Sequence, residues 1–280
     1  MRKLSLIILA YTDSQSVFEM NLECIQTFVA SAKKASIEYE IILVESDALS
    51  TWEYPIEQFK IIKPNHIFNF HKFLNLGIDK ASGDHFVLSN NDVVYDVNAI
   101  TELLSVHKIH PKIQSFSPYD KRSNKLPNQV VSDNKYIIGY DIQKHLTGWC
   151  IIVNKNVFKK IKKLDETFDF YYADFDYAMQ LRQHNICHAL VSQMKVAHLE
   201  SMSSKNEKNI PATNIPKNIP QYVLKENWTW VLENEKMMAG LIKFHNKWGS
   251  RKLIKLKCYL NSKLAKFGLG YLNKFIFAIK

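Results

Sequence analysis

Three stretches of the chain place oxygen or nitrogen ligands just past an apolar run. The first is Asn90-Asn91-Asp92, which follows residues 85–89 (HFVLS) and precedes Val93-Val94-Tyr95-Asp96. A carboxylate beside side-chain amides can hold a hard divalent cation. Mg²⁺ or Mn²⁺ needs only one or two protein carboxylates when phosphate oxygens complete its shell. The same residues can instead form an Asx-rich turn that caps a helix starting near residue 97. The second stretch is Tyr171-Tyr172-Ala173-Asp174-Phe175-Asp176. Asp174 and Asp176 fall where a helix is expected to begin, so one of them could cap it. A carboxylate held against aromatic surface can also act as a general base. The third is His198, after the apolar residues 189–196 and before Ser201 and Ser203. Neutral imidazole is a good ligand for divalent metals, but a single His also serves as plain core or surface filler.

The elements that must carry these groups follow from hydrophobic patterning. Residues 4–9 (LSLIIL) and 40–45 (EIILVE) are branched-aliphatic runs of the kind found in buried parallel strands. Between them Val17, Met20, Cys24, Phe28 and Ala32 recur at helical spacing, which makes a β-α-β unit. A strand at 59–62 and a helix over 69–81 follow. Gly83 ends that helix, and 85–89 is the next strand. A helix over 97–110 and a strand at 114–117 come next, then a polar, irregular stretch over 119–147 with a small hairpin at 136–142. From Gly148 (GWCIIV) the chain returns to a strand, then a helix to about 163, a helix over 174–184 and a strand at 189–196. This alternation predicts a mostly parallel sheet with helices on both faces. Such sheets bind ligands beyond the carboxyl ends of their strands. Tyr11-Thr12, Glu45 and Asn90-Asn91-Asp92 all fall there.

With 280 residues, 46% of them apolar, the chain can fill one large α/β core and an appendage. We place the boundary at 1–220 and 221–280. Four scattered cysteines make a zinc site or disulfide framework unexpected and suit a reducing cytosol. The N-terminal apolar run reads as a buried first strand rather than a leader. No run of ~18 apolar residues occurs, so no membrane span is expected. Residues 200–220 are polar with three prolines and read as a mobile loop able to close over a ligand. Residues 221–248 read as a helix. Leu253, Leu256, Leu260, Leu264, Phe267, Tyr271 and Phe275 then form a single helical stripe. Residues 236–280 hold 11 Lys/Arg and no Asp or Glu, which leaves 37 − 11 = 26 Lys/Arg against 27 Asp/Glu in the rest. The body is therefore neutral and the tail carries the excess. A basic amphipathic tail over 250–280 points to an anionic membrane surface, while nucleic acid would more often meet a basic face on the body. Packing of the stripe on the body or on a second subunit is the alternative.

Taken in order, β-α-β, strand–N-N-D, G-W-C-strand-helix, aromatic–D-x-D and strand–H-x-x-S resemble the family-2-like inverting glycosyltransferases of the GT-A fold, of bacterial surface-glycan type. The resemblance runs from residue 4 to about 203, and FNFHKFLNLGIDKASGDHFVLSNND is its most specific segment. It implies a GT-A, Rossmann-like sheet with a helical basic tail. It implies transfer of a sugar from a nucleoside-diphosphate sugar to a glycan or lipid-linked acceptor, with Mn²⁺ or Mg²⁺, by a cytoplasmic enzyme at the inner face of the membrane. Tyr11 and Thr12 would then grip the nucleotide, Glu45 would read the base, and Asn75 would match the family's recurring Asn. Asn91 and Asp92 would hold the diphosphate, and Asp92 and His198 the metal. Trp149 would lie near a sugar, and Asp174, or else Asp176, would be the catalytic base. The sequence departs from the family at Asn90, where Asp is common, at Ala173, where Glu is common, and at Thr12, where Asn is frequent. An inactive donor-binding homologue or a basic membrane-binding module are the competing readings. A sugar-nucleotide-forming enzyme of the same fold would carry a Gly-rich basic loop after its first strand, and AYTDSQSV has none.

Overall fold

The computed structural model describes residues 1–199 and 214–279. The expected loop at 200–220 lies outside the described residues over 200–213, as do Ser201 and Ser203.

The strands are β1 (Lys3–Ala10), β2 (Glu38–Glu45), β3 (Phe59–Ile62), β4 (His85–Asn90), β5 (Val93–Tyr95), β6 (Ile113–Tyr119), β7 (Tyr136–Ile138), β8 (Cys150–Asn154) and β9 (Cys187–His198). They form one sheet in the order β3-β2-β1-β4-β8-β6-β9-β5, with β7 on β9. β1, β2, β3 and β4 are mutually parallel; β8 runs against β4 and β6; β9 runs with β6; β5 and β7 run against β9. Six of the nine strands thus share a direction, as the alternating pattern predicts. Leu4, Leu6, Ile7 and Ile8 of β1 have no exposed surface. Each such side chain stabilises the fold by roughly 1.5–3 kcal/mol, which is why these runs take the centre of the sheet.

Helix α1 (Gln15–Lys34) and helix α3 (Ala99–Ile109) contribute Cys24, Ile25, Phe28, Ile100 and Leu103 to the core on one face of the sheet. Helix α2 (Phe70–Lys80) and the short α5 (Val157–Ile161) cover the other, with Phe73, Leu74 and Val157. Two elements escape the sequence reading. One is the short α4 (Asn128–Asp133) in the polar stretch. The other is β5, whose three residues are too few to show a period. The hairpin expected at 136–142 does not form, because β7 finds its partner in the distant β9.

Helix α6 (Ala173–Gln183) precedes β9, and after residue 213 come the C-terminal helices α7 (Gln221–Lys225), α8 (Thr229–Leu232), α9 (Glu235–Trp248), α10 (Arg251–Lys266) and α11 (Asn273–Ala278). The one helix expected over 221–248 is three. Asn227 takes a left-handed φ of 48°, and the Asn234 side chain caps α9. The tail stripe is also not one helix. It breaks at Gly268, at φ 70°, and folds into a hairpin. The inward face of α10 is Ile254, Lys257, Cys258 and Asn261, set one position off the expected stripe. Asn261 and Asn273 both donate to the carbonyl of Arg182 at the end of α6, so both arms rest on one point of the body. Phe168, Tyr172 and Met179 share an apolar cluster with Met238, Phe244, Trp248 and Phe277. These helices therefore pack directly on the segment that carries Asp174.

Candidate active site

The Asn90-Asn91-Asp92 turn joins β4 to β5. β5 pairs antiparallel with the end of β9, with Val93 opposite His198. This register brings Asp92 Oδ2 to 3.4 Å from His198 Nε2. Asp92 is buried, and the imidazole keeps a partly open edge. The Trp149 indole lies flat on the His198 ring, 4.8 Å between centroids and 9° between planes. The Asn90 N–H donates to the Trp149 carbonyl (2.8 Å), and Leu199 N–H donates to the Asp92 carbonyl (2.9 Å). Arg122 donates to the His198 carbonyl at 2.6 Å. The turn does not cap α3. The N-cap of α3 is Asn98, with no side-chain cap bond, and Asp96 accepts the Asn98 N–H at 2.8 Å just ahead of the helix.

A second group sits at the ends of β1 and β2. Tyr11 is 58% exposed, whereas Thr12 is buried. Both the N–H and the hydroxyl of Thr12 donate to Glu45, and Asp47 N–H adds a third donor at 2.8 Å. Glu45 is buried with these donors on its two oxygens, so its direct work is to hold the Thr12 turn. Asn21 links this group to the first. Its amide donates to Thr12 Oγ1 and to the Tyr54 hydroxyl, each at 2.8 Å, and its carbonyl accepts from Asn91 at 2.7 Å. An open concavity lies beside this group, lined by Ser46, Ala48, Asn65, His66, Phe68 and Lys72.

Asp174 lies in the first turn of α6, behind the left-handed Tyr172 (φ 66°), and makes no cap bond. Burial lifts its carboxyl to about 6, against the bonds it accepts from the Phe175 N–H and its own amide. It packs against Gly148, where a Cβ would come within 2.9 Å of the Asp174 Cβ. The neighbouring Trp149 stacks on His198, so Gly148-Trp149 ties Asp174 to the Asp92–His198 pair. Asp176 is different. It is fully buried, accepts from Trp248 Nε1 (2.8 Å) and Gln180 Nε2 (2.6 Å), and pairs with Lys247 (2.7 Å). Lys247 also reaches Asp165 at 2.6 Å. Asp176 therefore fastens α9 to α6 and presents nothing to a cleft.

Asn75 stands apart from these groups. Its amide donates to the Leu164 carbonyl and to Glu166, and its carbonyl accepts the Leu164 N–H. It braces α2 against the loop ahead of Asp174. Sequence reading missed Asn21, Gly148 and Arg122. Asn21 had a signal, a polar residue four after Val17 on the inward helical face. Gly148 had none, since its neighbour Asp174 is distant in the chain.

Among the described residues no cluster of three or more His, Cys, Asp or Glu could hold a metal. The Asp92–His198 pair offers one oxygen and one nitrogen. That set suits Mn²⁺, with Mg²⁺ the more oxygen-demanding choice, if phosphate oxygens fill the remaining positions.

No protein-family model matches the chain, and no curated protein matches it in sequence. Solved structures do match in fold. GalNAc-T7 with UDP, GalNAc and Mn²⁺ superposes with a TM-score of 0.55 at 13% identity, over 79% of this chain and 47% of its own. TarS 1–349 from S. aureus, in complex with UDP, gives 0.52 at 12% identity, over 68% of this chain and 58% of its own. The chain thus spans about half the length of these neighbours. The fold is of the GT-A type that they share.

Proposed function

We propose that this protein is an inverting glycosyltransferase that moves a sugar from a nucleoside-diphosphate sugar to a hydroxyl of a glycan or lipid-linked acceptor. One observation carries the reading. A half-buried carboxylate with a raised pKa, Asp174, is tied through Gly148-Trp149 to a carboxylate–imidazole pair at the carboxyl ends of the strands. The fold neighbours that were solved with UDP add support to the donor class.

In this reading the nucleoside lies over Tyr11 and the turn that Glu45 and Thr12 hold rigid. Asn91, fixed by Asn21, and Asp92 face the diphosphate. Asp92 and His198 would hold Mn²⁺ or Mg²⁺. When bound, the cation supplies Lewis-acid neutralisation of the departing diphosphate, worth several kcal/mol. Trp149 keeps the imidazole oriented and shields the sugar from water. Asp174 takes the proton of the acceptor hydroxyl as that oxygen attacks the anomeric carbon from the face opposite the leaving group. Such a base contributes typically 10²–10⁴-fold.

The protein would work at the inner face of the cell membrane. Leu256, Tyr259, Phe267, Tyr271 and Phe275 on the tail hairpin are each at least half exposed. Lys263 and Lys274 lie over the Tyr259 and Phe275 rings. Aromatic rings interleaved with lysines suit an anionic headgroup layer. Among the described residues no helix is long and apolar enough to cross a membrane.

The test is release of free sugar from a panel of UDP-, GDP- and dTDP-sugars with Mn²⁺ present. One donor should be hydrolysed, and Asp174→Asn should abolish that turnover. Binding without hydrolysis would favour an inactive donor-binding homologue; no binding of any donor would overturn the reading.

A further inference from the structure

A run of aromatic rings leads from Asp174 along the C-terminal helices. Phe175, 41% exposed, packs on Tyr172 with centroids 5.1 Å apart. Tyr172 packs on Phe244 at 5.7 Å, Phe244 meets His245 edge-on at 5.9 Å, and His245 meets Tyr222 at 5.6 Å. Tyr222 meets Trp228 edge-on at 5.1 Å, and Trp228 stacks on Trp230 at 5.5 Å and 23°. Trp230 leaves 56% of its surface in solvent.

A single exposed ring needs no explanation. What sets this run apart is how firmly it is held and what stands at its edges. The Trp228 indole N–H donates to Glu226 at 3.2 Å. Arg251 pairs with the same carboxylate and lies over Tyr222 at 4.6 Å and Trp228 at 5.5 Å. The Tyr222 hydroxyl bonds His245 at 2.8 Å. The rings are thus fixed before any ligand arrives, which lowers the ordering cost of binding. Glu226 and Arg251 still keep 46% and 36% of their side chains in solvent. They can take further hydrogen bonds beside an aromatic face.

That combination matches a sugar chain. The C–H face of a pyranose carries partial positive charge and sits well on the negative face of an aromatic ring, while its hydroxyls need charged partners at the ring edge. A single sugar would cover one ring; successive rings suit successive sugars. An anionic lipid surface fits less well, because the Glu226 carboxylate stands in the middle of the run.

We propose that Phe175, Tyr222, Trp228 and Trp230 form a shelf that receives an oligosaccharide acceptor, with its reacting end toward Asp174. The direction assigned to the chain rests on the transferase reading; the presence of a saccharide site does not.

The test uses the full chain, its Trp230→Ala variant and its Trp230→Phe variant. Each is applied to an array of defined oligosaccharides, and nucleotide binding is followed by thermal shift on the same preparations. Trp230 is exposed, so the variants should fold. The wild type should retain at least one oligosaccharide. Trp230→Ala should weaken that binding at least about tenfold, Trp230→Phe should largely restore it, and nucleotide binding should not change. No oligosaccharide retained by the wild type, or equal retention by Trp230→Ala, would overturn the shelf. Nucleotide binding without glycan binding would sink the shelf alone. Trp230-dependent glycan binding without nucleotide binding would leave the shelf standing and sink the donor reading.

Discussion

His198 Nε2 lies 3.4 Å from Asp92 Oδ2 because β5 and β9 pair with Val93 opposite His198. The two groups are distant in the chain, and backbone pairing, not side-chain attraction, sets them together. Trp149 then fixes the imidazole plane from one side. A pair held this way is preorganised, so little rearrangement is needed when a charged ligand arrives.

The Asp174 carboxyl, lifted to about 6 by burial, gives a pH prediction with a definite sign. A base must be ionised, so kcat/KM should rise as pH passes upward through about 6. Stability runs the other way. The folded pKa is above the unfolded value, so the folded state binds more protons between about 4 and 6, and stability falls across that window as pH rises. Asp174→Asn should therefore cut turnover at least about a hundredfold and raise stability at pH 7.5 by at most roughly 3 kcal/mol. At pH 3.5 the stability gain should vanish. Chemical denaturation at both pH values checks this; a variant destabilised at pH 7.5 would mean that Asp174 is structural.

Lys247 should prove a structural residue of high cost. It bridges Asp165 and the fully buried Asp176. Lys247→Met leaves the Asp176 charge without its cation and should cost about 3–5 kcal/mol. The double change Lys247→Met with Asp176→Asn should recover part of that loss. Urea unfolding of the single and double variants measures it, and a loss below about 1 kcal/mol for Lys247→Met would show that the bridge contributes little.

The strand ends were legible in the sequence because branched-aliphatic runs bury on both faces and the polar residue after each run has one place to go. Tyr11-Thr12, Glu45 and Asp92 all fall at that edge for this reason. Residue roles were less legible. In the D-x-D pair only the family resemblance ranked Asp174 ahead of Asp176, and packing separates them physically, one carboxylate against Gly148 and the other against Trp248. Asn75 turned inward because Leu164 supplies both halves of an amide partner. The tail stripe misled because a helical period does not say which face is covered. The inward face includes Lys257, whose ammonium reaches the Trp248 carbonyl at 3.0 Å, and a buried lysine is invisible to a hydrophobic pattern.

The tail hairpin should bind anionic vesicles. In flotation with phosphatidylglycerol-rich vesicles the protein should rise, with neutral phosphatidylcholine vesicles it should not, and high salt should release it. Replacing the exposed Phe267, Tyr271 and Phe275 together by Ser should abolish flotation without unfolding the body. Equal flotation on neutral vesicles, or flotation unchanged by the triple substitution, would count against a lipid surface.

On the proposed reading, Asp92 and His198 bind a nucleoside diphosphate through a divalent cation. Isothermal titration with UDP, GDP, dTDP and CDP, each with Mn²⁺ and with EDTA, tests it most directly. One nucleotide should bind with Mn²⁺ and bind at least about tenfold more weakly in EDTA. Asp92→Asn and His198→Ala should each remove the Mn²⁺ dependence while the protein stays folded. Nucleotide binding that is unchanged by EDTA and by both substitutions would mean that the Asp92–His198 pair holds neither cation nor diphosphate.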